Sequence, residues 1–246
     1  MFIFKHHHHW YKHDDFPPVE YADRYGVVAF GGEYSSDCFE RAYRRGIFPW
    51  PDKDQDLIPW FCPSQRFVLY PDELHLSHSL RRQIKHHPFE ICADRQFPAV
   101  IHHCATVKRE EGSTWITQGM ESTFCELHER GIAHSIECYL DGKLVGGFYG
   151  TCIGHIFGGE SMFTLVSDAA KIAFVTFVKR AQTYQIPIID CQCYTDNMAR
   201  YGARHIDRKD YLELLNLNAN LPLPDEFWQG TWSEVGSRDV LWNVST

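Results

Sequence analysis

Residues 133–157 read AHSIECYLDGKLVGGFYGTCIGHIF, and this stretch decides the fold. Two runs rich in apolar residues, 133–139 and 143–149, flank the dipeptide Asp141-Gly142. Asp-Gly supplies the positive φ angles that a tight hairpin turn requires. The two runs therefore predict a β-hairpin.

Helix and strand patterns continue on both sides of this hairpin. Apolar residues at helical spacing predict helices, and short apolar runs predict strands. The expected order is a strand at 27–30, helices at 37–46, 80–87 and 117–130, the hairpin, a strand at 152–157, a helix at 168–182, a strand at 186–193 and a helix at 209–217. This order predicts an α+β fold built around a mixed sheet.

Prolines punctuate the chain after the first helix, at Pro49, Pro51, Pro59 and Pro63. They predict a domain boundary near residues 62–68. We therefore expect two domains. The first is a small N-terminal α/β domain over residues 1–66, and the second covers residues 67–246.

Residues 1–18 are expected to form an irregular lead to the first domain. Their most conspicuous feature is the run of histidines from His6 to His9. A metal site is conceivable there, but an exposed histidine run at a frayed terminus is more often adventitious. No role is assigned to it, and no metal is expected.

Composition indicates a folded protein and limits the classes to which it can belong. Of 246 residues, 23% are charged and 15% aromatic, which excludes wholesale disorder. The formal net charge of −8 means that a nucleic-acid partner would need a local basic cluster. Nine cysteines without a Cys-x-x-Cys pair predict reduced thiols. No run approaches the roughly 20 apolar residues of a membrane span, and no signal peptide is evident, so we expect a cytosolic protein with no membrane partner.

Asp190 and Gln192 lie two residues apart in the last predicted strand. Because side chains alternate along a strand, both project from one face. Burying a carboxylate beside a carboxamide is costly unless both are hydrogen-bonded. Either catalysis or a structural hydrogen-bond network must explain the pair.

Glu160 follows the pair Gly158-Gly159. Glycines permit close backbone approach or unusual dihedral angles, so a ligand-binding loop is possible here, and so is a plain turn. Apolar side chains nearby offer either the lining of a pocket or ordinary core packing, and these are Phe148, Met162, Phe163, Phe174 and Phe177.

The predicted helix over residues 80–87 contains no acidic residue. Helical spacing places Arg81 next to Lys85 and Arg82 next to His86. This is the local basic cluster that a nucleic-acid partner would need. A solvated helix face is the alternative interpretation.

Six segments, read together and in this order, resemble the leucyl/phenylalanyl-tRNA–protein transferase family. They are Gly46-Ile47-Phe48-Pro49-Trp50, Arg109-Glu110-Glu111-Gly112 with Thr114-Trp115-Ile116-Thr117, Ala133-His134-Ser135-Ile136-Glu137, Leu144-Val145-Gly146-Gly147 with Tyr149-Gly150, Gly159-Glu160-Ser161-Met162-Phe163, and Ile189-Asp190-Cys191-Gln192. The resemblance covers roughly residues 26–228. The chain departs from the family pattern at Glu33-Tyr34, where the family has Asp-Leu, and at the additional residue Ser113. The N-terminal lead and the tail after Trp232 have no counterpart.

The resemblance implies a fold and an activity. The second domain is expected to resemble acetyl-CoA-dependent N-acetyltransferases (GNAT-like). The enzyme is expected to transfer leucine or phenylalanine, and less readily methionine, from aminoacyl-tRNA to proteins that begin with arginine or lysine, which then enter the N-degron pathway. An aminoacyl-tRNA is already an activated ester, so no cofactor is expected.

The resemblance also implies the site residues. Asp190, Gln192 and Glu160 are expected to be catalytic. We hypothesise that Gln192 contacts the attacking amine, and that Asp190 orients Gln192 and favours loss of the amine proton. The expected substrate-binding residues are Phe148, Met162, Phe177 and Ser161, with Trp50 and Trp115 near the terminal adenosine. The basic cluster Arg81, Arg82 and Lys85 is expected to bind tRNA.

Two other functions are alternatives to aminoacyl transfer. An acyl-CoA-dependent N-acetyltransferase usually carries an Arg/Gln-x-x-Gly-x-Gly/Ala loop, and the sequence contains no such segment. A non-catalytic tRNA-binding protein would keep the fold without the chemistry. The presence of Asp190, Gln192 and Glu160 together argues against it.

Overall fold

The computed structural model describes residues 1–7, 9–51, 57–107 and 114–232. Two β-sheets and seven α-helices organise this part of the chain. The α-helices are α1 (Ser36–Tyr43), α2 (His78–His86), α3 (Phe97–Thr106), α4 (Gln118–Glu129), α5 (Ala169–Thr183), α6 (Asp196–Arg200) and α7 (Arg208–Asn218). Short 3-10 turns occupy Val19–Tyr21, Pro71–Glu73 and Asp225–Phe227.

The N-terminal sheet has five antiparallel strands in the order β2-β1-β3-β5-β4. The strands are β1 (Phe2–His6), β2 (His9–His13), β3 (Val27–Gly31), β4 (Phe48–Pro49) and β5 (Pro59–Phe61). The predicted strand at 27–30 and the predicted helix at 37–46 are confirmed by β3 and α1.

The expectation of an irregular lead over residues 1–18 is wrong. β1 and β2 form a hairpin, and β1 also pairs with β3. The physical reason is the alternation of β1, because Phe2 and Phe4 are buried while Lys5 is exposed. Phe2 packs against Phe16, with ring centroids 4.2 Å apart. Within the histidine run, His6 stacks on Tyr21 at 3.8 Å, whereas His8 lies outside the described residues.

The second sheet has seven strands in the order β12-β6-β11-β10-β9-β8-β7. The strands are β6 (Gln65–Leu69), β7 (Glu90–Ala93), β8 (Ala133–Leu140), β9 (Lys143–Ile153), β10 (Ile156–Thr164), β11 (Ile189–Asp190) and β12 (Arg204–Asp207). β10 and β11 are parallel, and the other neighbours are antiparallel. The predicted α+β class and mixed sheet are therefore confirmed.

The predicted hairpin is formed by β8 and β9, with Leu140 opposite Lys143. Its turn residues Asp141 and Gly142 have φ angles of 50° and 73°. These positive values are the ones that the Asp-Gly pair was expected to supply.

The predicted bounds of the strand that follows the hairpin, residues 152–157, are wrong. β9 continues to Ile153, and the turn falls at Gly154, whose φ is +60°. β10 therefore begins at Ile156 and carries Glu160 in its middle. Glu160 lies neither in a loop nor in a turn but at a bulge, where the register shifts between Gly159 and Ser161. A bulge turns a side chain away from regular alternation.

The predicted strand at 186–193 is also too long. Only Ile189 and Asp190 pair, as β11 between β10 and β6. The backbone leaves the extended conformation at Gln192, whose φ is +60°. Asp190 and Gln192 are therefore not related by simple strand alternation.

The helices predicted at 80–87, 117–130, 168–182 and 209–217 correspond to α2, α4, α5 and α7. The sequence analysis did not predict α3 and α6. Two apolar cores cover the two faces of the sheet, since Phe148 belongs to the core with α5 and its neighbour Tyr149 to the core with α3 and α4.

The core that contains α3 and α4 also includes residues of the N-terminal sheet. Phe39 of α1 packs on Trp60 at 5.2 Å and on Phe124 of α4 at 5.8 Å. The last strand of the first sheet ends at Phe61, and the first strand of the second sheet begins at Gln65. The division into two domains at residue 66 stays a prediction.

All nine cysteines are free thiols. Across the described ranges, no helix is both long and apolar enough to cross a membrane.

Candidate active site

A cavity of about 710 Å³ opens beside β10, β11 and α6. Its size is within the range of pockets that bind small organic ligands. One wall is apolar and includes Phe148, Phe157, Met162, Phe174 and Ile189. The polar residues of the lining include Glu160, Ser161, Asp190, Asp196, Asn197 and Arg200.

Asp190 is buried beneath this cavity, and both of its oxygens accept hydrogen bonds. Oδ1 accepts from Arg66 Nε and from the backbone N–H of Gln192, each at 2.8 Å. Oδ2 accepts from Arg66 Nη2 at 2.6 Å and from the Tyr211 hydroxyl at 2.9 Å. Asp190 and Arg66 therefore form a buried, bidentate ion pair.

Arg66 connects this ion pair to the N-terminal part of the chain. Its Nη1 donates to the backbone oxygen of Gly46 at 3.1 Å. The guanidinium also lies between two rings, 4.7 Å from the centroid of Phe48 and 4.4 Å from that of Tyr211. Although burial alone would lower the pKa of Arg66, the Asp190 carboxylate raises it, so the charge is retained.

Gln192 is held at two points by two different carboxyl groups. Its backbone N–H donates to Asp190 Oδ1, which stabilises the left-handed backbone conformation. Its side-chain Nε2 donates to Glu160 Oε1 at 2.8 Å. Because an amide nitrogen carries the donors, this bond leaves the Gln192 carbonyl oxygen available as an acceptor.

Glu160 carries a carboxyl group with a strongly altered proton affinity. Burial, helped by the nearby Asp190 carboxylate, raises its pKa to about 8, although hydrogen bonds from Tyr43 and Gln192 act in the opposite direction. The Tyr43 hydroxyl donates to Glu160 Oε1 at 2.8 Å. Glu160 Oε2 is buried and has no hydrogen-bond partner among the described residues. The site therefore contains a buried carboxyl oxygen whose hydrogen-bonding capacity the described residues do not use.

The structure brings most of the predicted site residues together. Glu160, Ser161, Met162, Phe148 and Asp190 line the cavity. Gln192 lies next to it through its bond to Glu160.

Phe177 and the two tryptophans lie outside the cavity lining. Phe177 is fully buried in the layer behind, 5.6 Å from Phe148 and 4.5 Å from Phe157. Trp50 is 46% exposed and lies edge-on to Phe61 at 5.9 Å. Trp115 is half-buried against the core shared with the N-terminal sheet. Part of its motif, residues 108–113, lies outside the described residues, and so does the tail from residue 233.

The basic cluster lies on the outer face of α2. Arg81, Arg82 and Lys85 are exposed, while Leu80 and Ile84 bury the opposite face. The cluster does not border the cavity. Its place fits either a tRNA contact or a solvated face.

Sequence reasoning missed Tyr43, Arg66 and Tyr211, which complete the polar network. Arg66 left one signal, because it begins the apolar run Arg66-Phe67-Val68-Leu69. An arginine buried in a strand needs an anionic partner. Asp190, which ends another apolar strand, is a carboxylate that can provide it. The two tyrosines left no such signal.

One group of possible metal ligands lies elsewhere, at Asp94, His128 and His134, whose ligand atoms are within 4.8 Å of one another. Hydrogen bonds within the protein explain why these three side chains lie close together. His134 Nδ1 lies 2.6 Å from Asp94 Oδ2, and the Ser135 N–H donates to Asp94 Oδ1 at 2.8 Å. His134 also stacks on Trp228 at 3.7 Å.

The sequence is similar to one known protein family and to individual members of it. Residues 68–216 match the leucyl/phenylalanyl-tRNA protein transferase family, and residues 40–64 match the N-terminal domain of the same family. The first matched region begins within β6 at residue 68 and contains Glu160, Asp190 and Gln192. The second contains Tyr43.

Relatives named leucyl/phenylalanyl-tRNA–protein transferase cover most of the chain. The protein of Stutzerimonas stutzeri is 42% identical over 87% of this chain and 96% of its own length. The protein of Laribacter hongkongensis is 40% identical over 91% of this chain and 96% of its own length. The protein of Myxococcus xanthus is 43% identical over 91% of this chain and 94% of its own length. The family resemblance expected from the motifs is thus confirmed, and the chain belongs to the leucyl/phenylalanyl-tRNA protein transferase family of aminoacyltransferases.

Proposed function

We propose that this enzyme transfers leucine or phenylalanine, and less readily methionine, from aminoacyl-tRNA to the α-amine of proteins that begin with arginine or lysine. The product would enter the N-degron pathway. Since charged tRNA is the donor, we expect the reaction to take place in the cytoplasm. The observation that carries the proposal is a cavity in which an apolar wall meets the hydrogen-bonded chain Glu160–Gln192–Asp190.

The apolar wall suits the side chain of the transferred amino acid. Phe148, Met162 and Phe174 line it. Burying a leucyl or phenyl side chain contributes roughly 1.5 to 3 kcal/mol, which favours these residues over small or polar ones. Phe177, behind Phe148, would support this wall from the core.

The reaction forms a bond between the acceptor nitrogen and the ester carbonyl carbon and breaks the bond from that carbon to the ribose oxygen. The amine proton passes in the end to the ribose oxygen. The enzyme has to position a neutral amine and stabilise the tetrahedral oxyanion. We assign the first task to the Gln192 carbonyl oxygen, which can accept a hydrogen bond from the attacking amine.

Glu160 and Asp190 then have different roles. Glu160 holds the Gln192 carboxamide through its Oε1, and we propose that its Oε2, which has no hydrogen-bond partner among the described residues, contacts the substrate. Asp190 holds the Gln192 backbone, while both Asp190 oxygens accept from Arg66. We therefore assign Asp190 a positioning role rather than that of a general base.

The remaining assignments concern the donor and the fold. Trp50 and Trp115 would contact the terminal adenosine, and the half-exposed ring of Trp50 supports stacking. Arg81, Arg82 and Lys85 would contact tRNA phosphates. A GNAT-like fold for residues 67–246 is supported by the mixed sheet, whose parallel pair β10–β11 carries the site.

The test is transfer of labelled leucine from leucyl-tRNA to a protein that begins with arginine. The control acceptor is the same protein with an acetylated N-terminus, which has no free amine. Acetyl-CoA offered to the same acceptor tests the acetyltransferase alternative. If folded enzyme moves no leucine to the arginine acceptor, the proposed function is wrong.

A further inference from the structure

The cavity contains a carboxylate to which the proposed chemistry assigns no role. Asp196 lines it from the first turn of α6, four residues after Gln192. Four residues of chain span at most about 14 Å, so the Asp196 Cα lies within that distance of the Gln192 Cα. The Tyr194 hydroxyl donates to Asp196 Oδ1 at 2.7 Å, and no hydrogen bond to Oδ2 is found within the described ranges.

The other two carboxyl groups of the cavity are poor partners for a cation. Asp190 already pairs with Arg66 Nη2 at 2.6 Å, and both side chains are buried. Glu160 is surrounded by buried groups, and its raised pKa favours the neutral form at neutral pH. Asp196 is exposed, so water stabilises its negative charge until a ligand binds.

Within the described residues, Asp196 takes part in no salt bridge. Arg200 also lines the cavity, one helical turn further along α6. Over the described ranges, no salt bridge within 4 Å joins Arg200 to Asp196. The N-terminal cap of α6 comes from Thr195, whose Oγ1 accepts from the Met198 N–H at 3.2 Å, so the helix does not need Asp196 as its cap.

We propose that Asp196 binds the cationic side chain of the acceptor's first residue. This inference rests on the proposed function and decides which carboxylate reads the acceptor. The acceptor α-amine lies at Gln192 while its guanidinium or ammonium group reaches the mouth of the cavity. The Tyr194 hydroxyl holds one oxygen of Asp196, and the other oxygen binds the acceptor cation.

The experiment compares peptides that differ only in the first residue, with leucyl-tRNA as the donor. Arginine and lysine provide the charge, and citrulline provides the shape of arginine without its charge. Asp196→Asn is expected to lower kcat/KM for the arginine and lysine peptides at least about tenfold, the size expected for a charge-assisted hydrogen bond. The rate with the citrulline peptide and the KM for leucyl-tRNA are expected to stay near the parent values.

Matched variants separate charge recognition from folding. Asp196→Glu keeps the charge and is expected to retain most of the preference for arginine over citrulline. Asp210→Asn makes the same change in the first turn of α7, outside the cavity, and is expected to leave the preference unchanged. Asp196→Lys should accept the arginine peptide less well than the citrulline peptide.

Three results would overturn the inference. In the first, Asp196→Asn keeps the parent preference for arginine over citrulline. In the second, it lowers the rates with all peptides equally. In the third, the parent enzyme transfers leucine but does not distinguish arginine from citrulline. A parent enzyme that transfers leucine to no peptide would instead refute the proposed function, and the inference with it.

Discussion

At the scale of single residues, the site depends on a buried ion pair that orders an unusual backbone conformation. Arg66 and Asp190 are both almost fully buried and are joined through two hydrogen bonds. Removing one partner leaves the other as an uncompensated buried charge, which is more costly than replacing both. Under the proposed mechanism, stability and transfer activity are therefore coupled at Asp190.

Arg66→Met should destabilise the protein by about 3 to 5 kcal/mol, because Asp190 would keep a buried charge without its cationic partner. Urea denaturation at pH 7 measures this loss. The double variant Arg66→Met with Asp190→Leu should recover much of the lost stability. A single variant as stable as the parent would mean that the ion pair is not a major element of the fold.

Gln192→Gly is expected to fold and to lower turnover by about a hundredfold or more, because removing one preorganised hydrogen-bonding group from a reacting site typically costs about 10² to 10³ in kcat. Glycine is chosen because the φ of +60° suits it, whereas alanine would be strained there. Binding of aminoacyl-tRNA should persist. Near-parent turnover in the folded variant would remove the carboxamide from the mechanism.

Glu160 predicts a defined dependence of stability on pH. In the folded protein its pKa is about 8, whereas a free glutamate titrates near 4.3. The folded state therefore binds the proton more tightly, and this contribution is largest below pH 4.3 and is lost as the pH rises towards 8. Urea denaturation of parent and Glu160→Gln at pH 5, 7 and 9 should show a larger decline for the parent. Parallel pH profiles of the two proteins would contradict the assignment.

At the scale of secondary-structure elements, two helices have faces with different tasks. α2 buries Leu80 and Ile84 and exposes its basic side chains, so its outer face is available to a polyanion. α5 is buried along most of its length and supports the sheet behind the cavity. Changes to the two helices should therefore affect different measurements.

Arg81→Glu combined with Lys85→Glu should raise the apparent KM for leucyl-tRNA. Each lost phosphate contact should flatten the slope of log affinity against log salt concentration by roughly 0.7 to 0.9. Leucyl-adenosine, which has no tRNA body, should react nearly as with the parent enzyme. Lys143→Glu combined with Lys209→Glu, two exposed positions outside α2, is the control for the same change in net charge. Equal effects on both donors, or no effect on either, would favour the solvated-face interpretation of α2.

Phe177→Ala should lower the free energy of unfolding by about 3 to 5 kcal/mol, because the ring is fully buried among other rings. If it supports the cavity wall, the variant should also use leucyl- and phenylalanyl-tRNA less well. Thermal denaturation and donor competition measure the two effects. A destabilised variant with an unchanged ranking of donors would make Phe177 a core residue alone.

At the scale of the whole molecule, the site is assembled where the N-terminal part meets the second sheet. Tyr43 of α1 donates to Glu160, and the Gly46 backbone accepts from Arg66. Phe39 and Phe124 join the two parts through one apolar core. The N-terminal residues therefore contribute directly to the buried polar network of the candidate site.

Local sequence was sufficient for the features that depend on neighbouring residues. Asp141-Gly142 predicted the hairpin turn, and apolar spacing predicted α4 and α5. These succeed because turn dihedral angles and helix faces are set within a few residues. The ordered motifs were likewise enough to predict the family, since they need no knowledge of spatial contacts.

Only the tertiary structure determined how the polar side chains are paired. Arg66 and Asp190 lie 124 positions apart, and Tyr43 and Glu160 lie 117 apart, so no local pattern couples them. The Gln192 carboxamide and the Glu160 carboxyl group, 32 positions apart, are likewise joined only in the folded chain. A buried polar group needs a hydrogen-bond partner, but the sequence does not state which distant residue will provide it. The fold brings that partner into place.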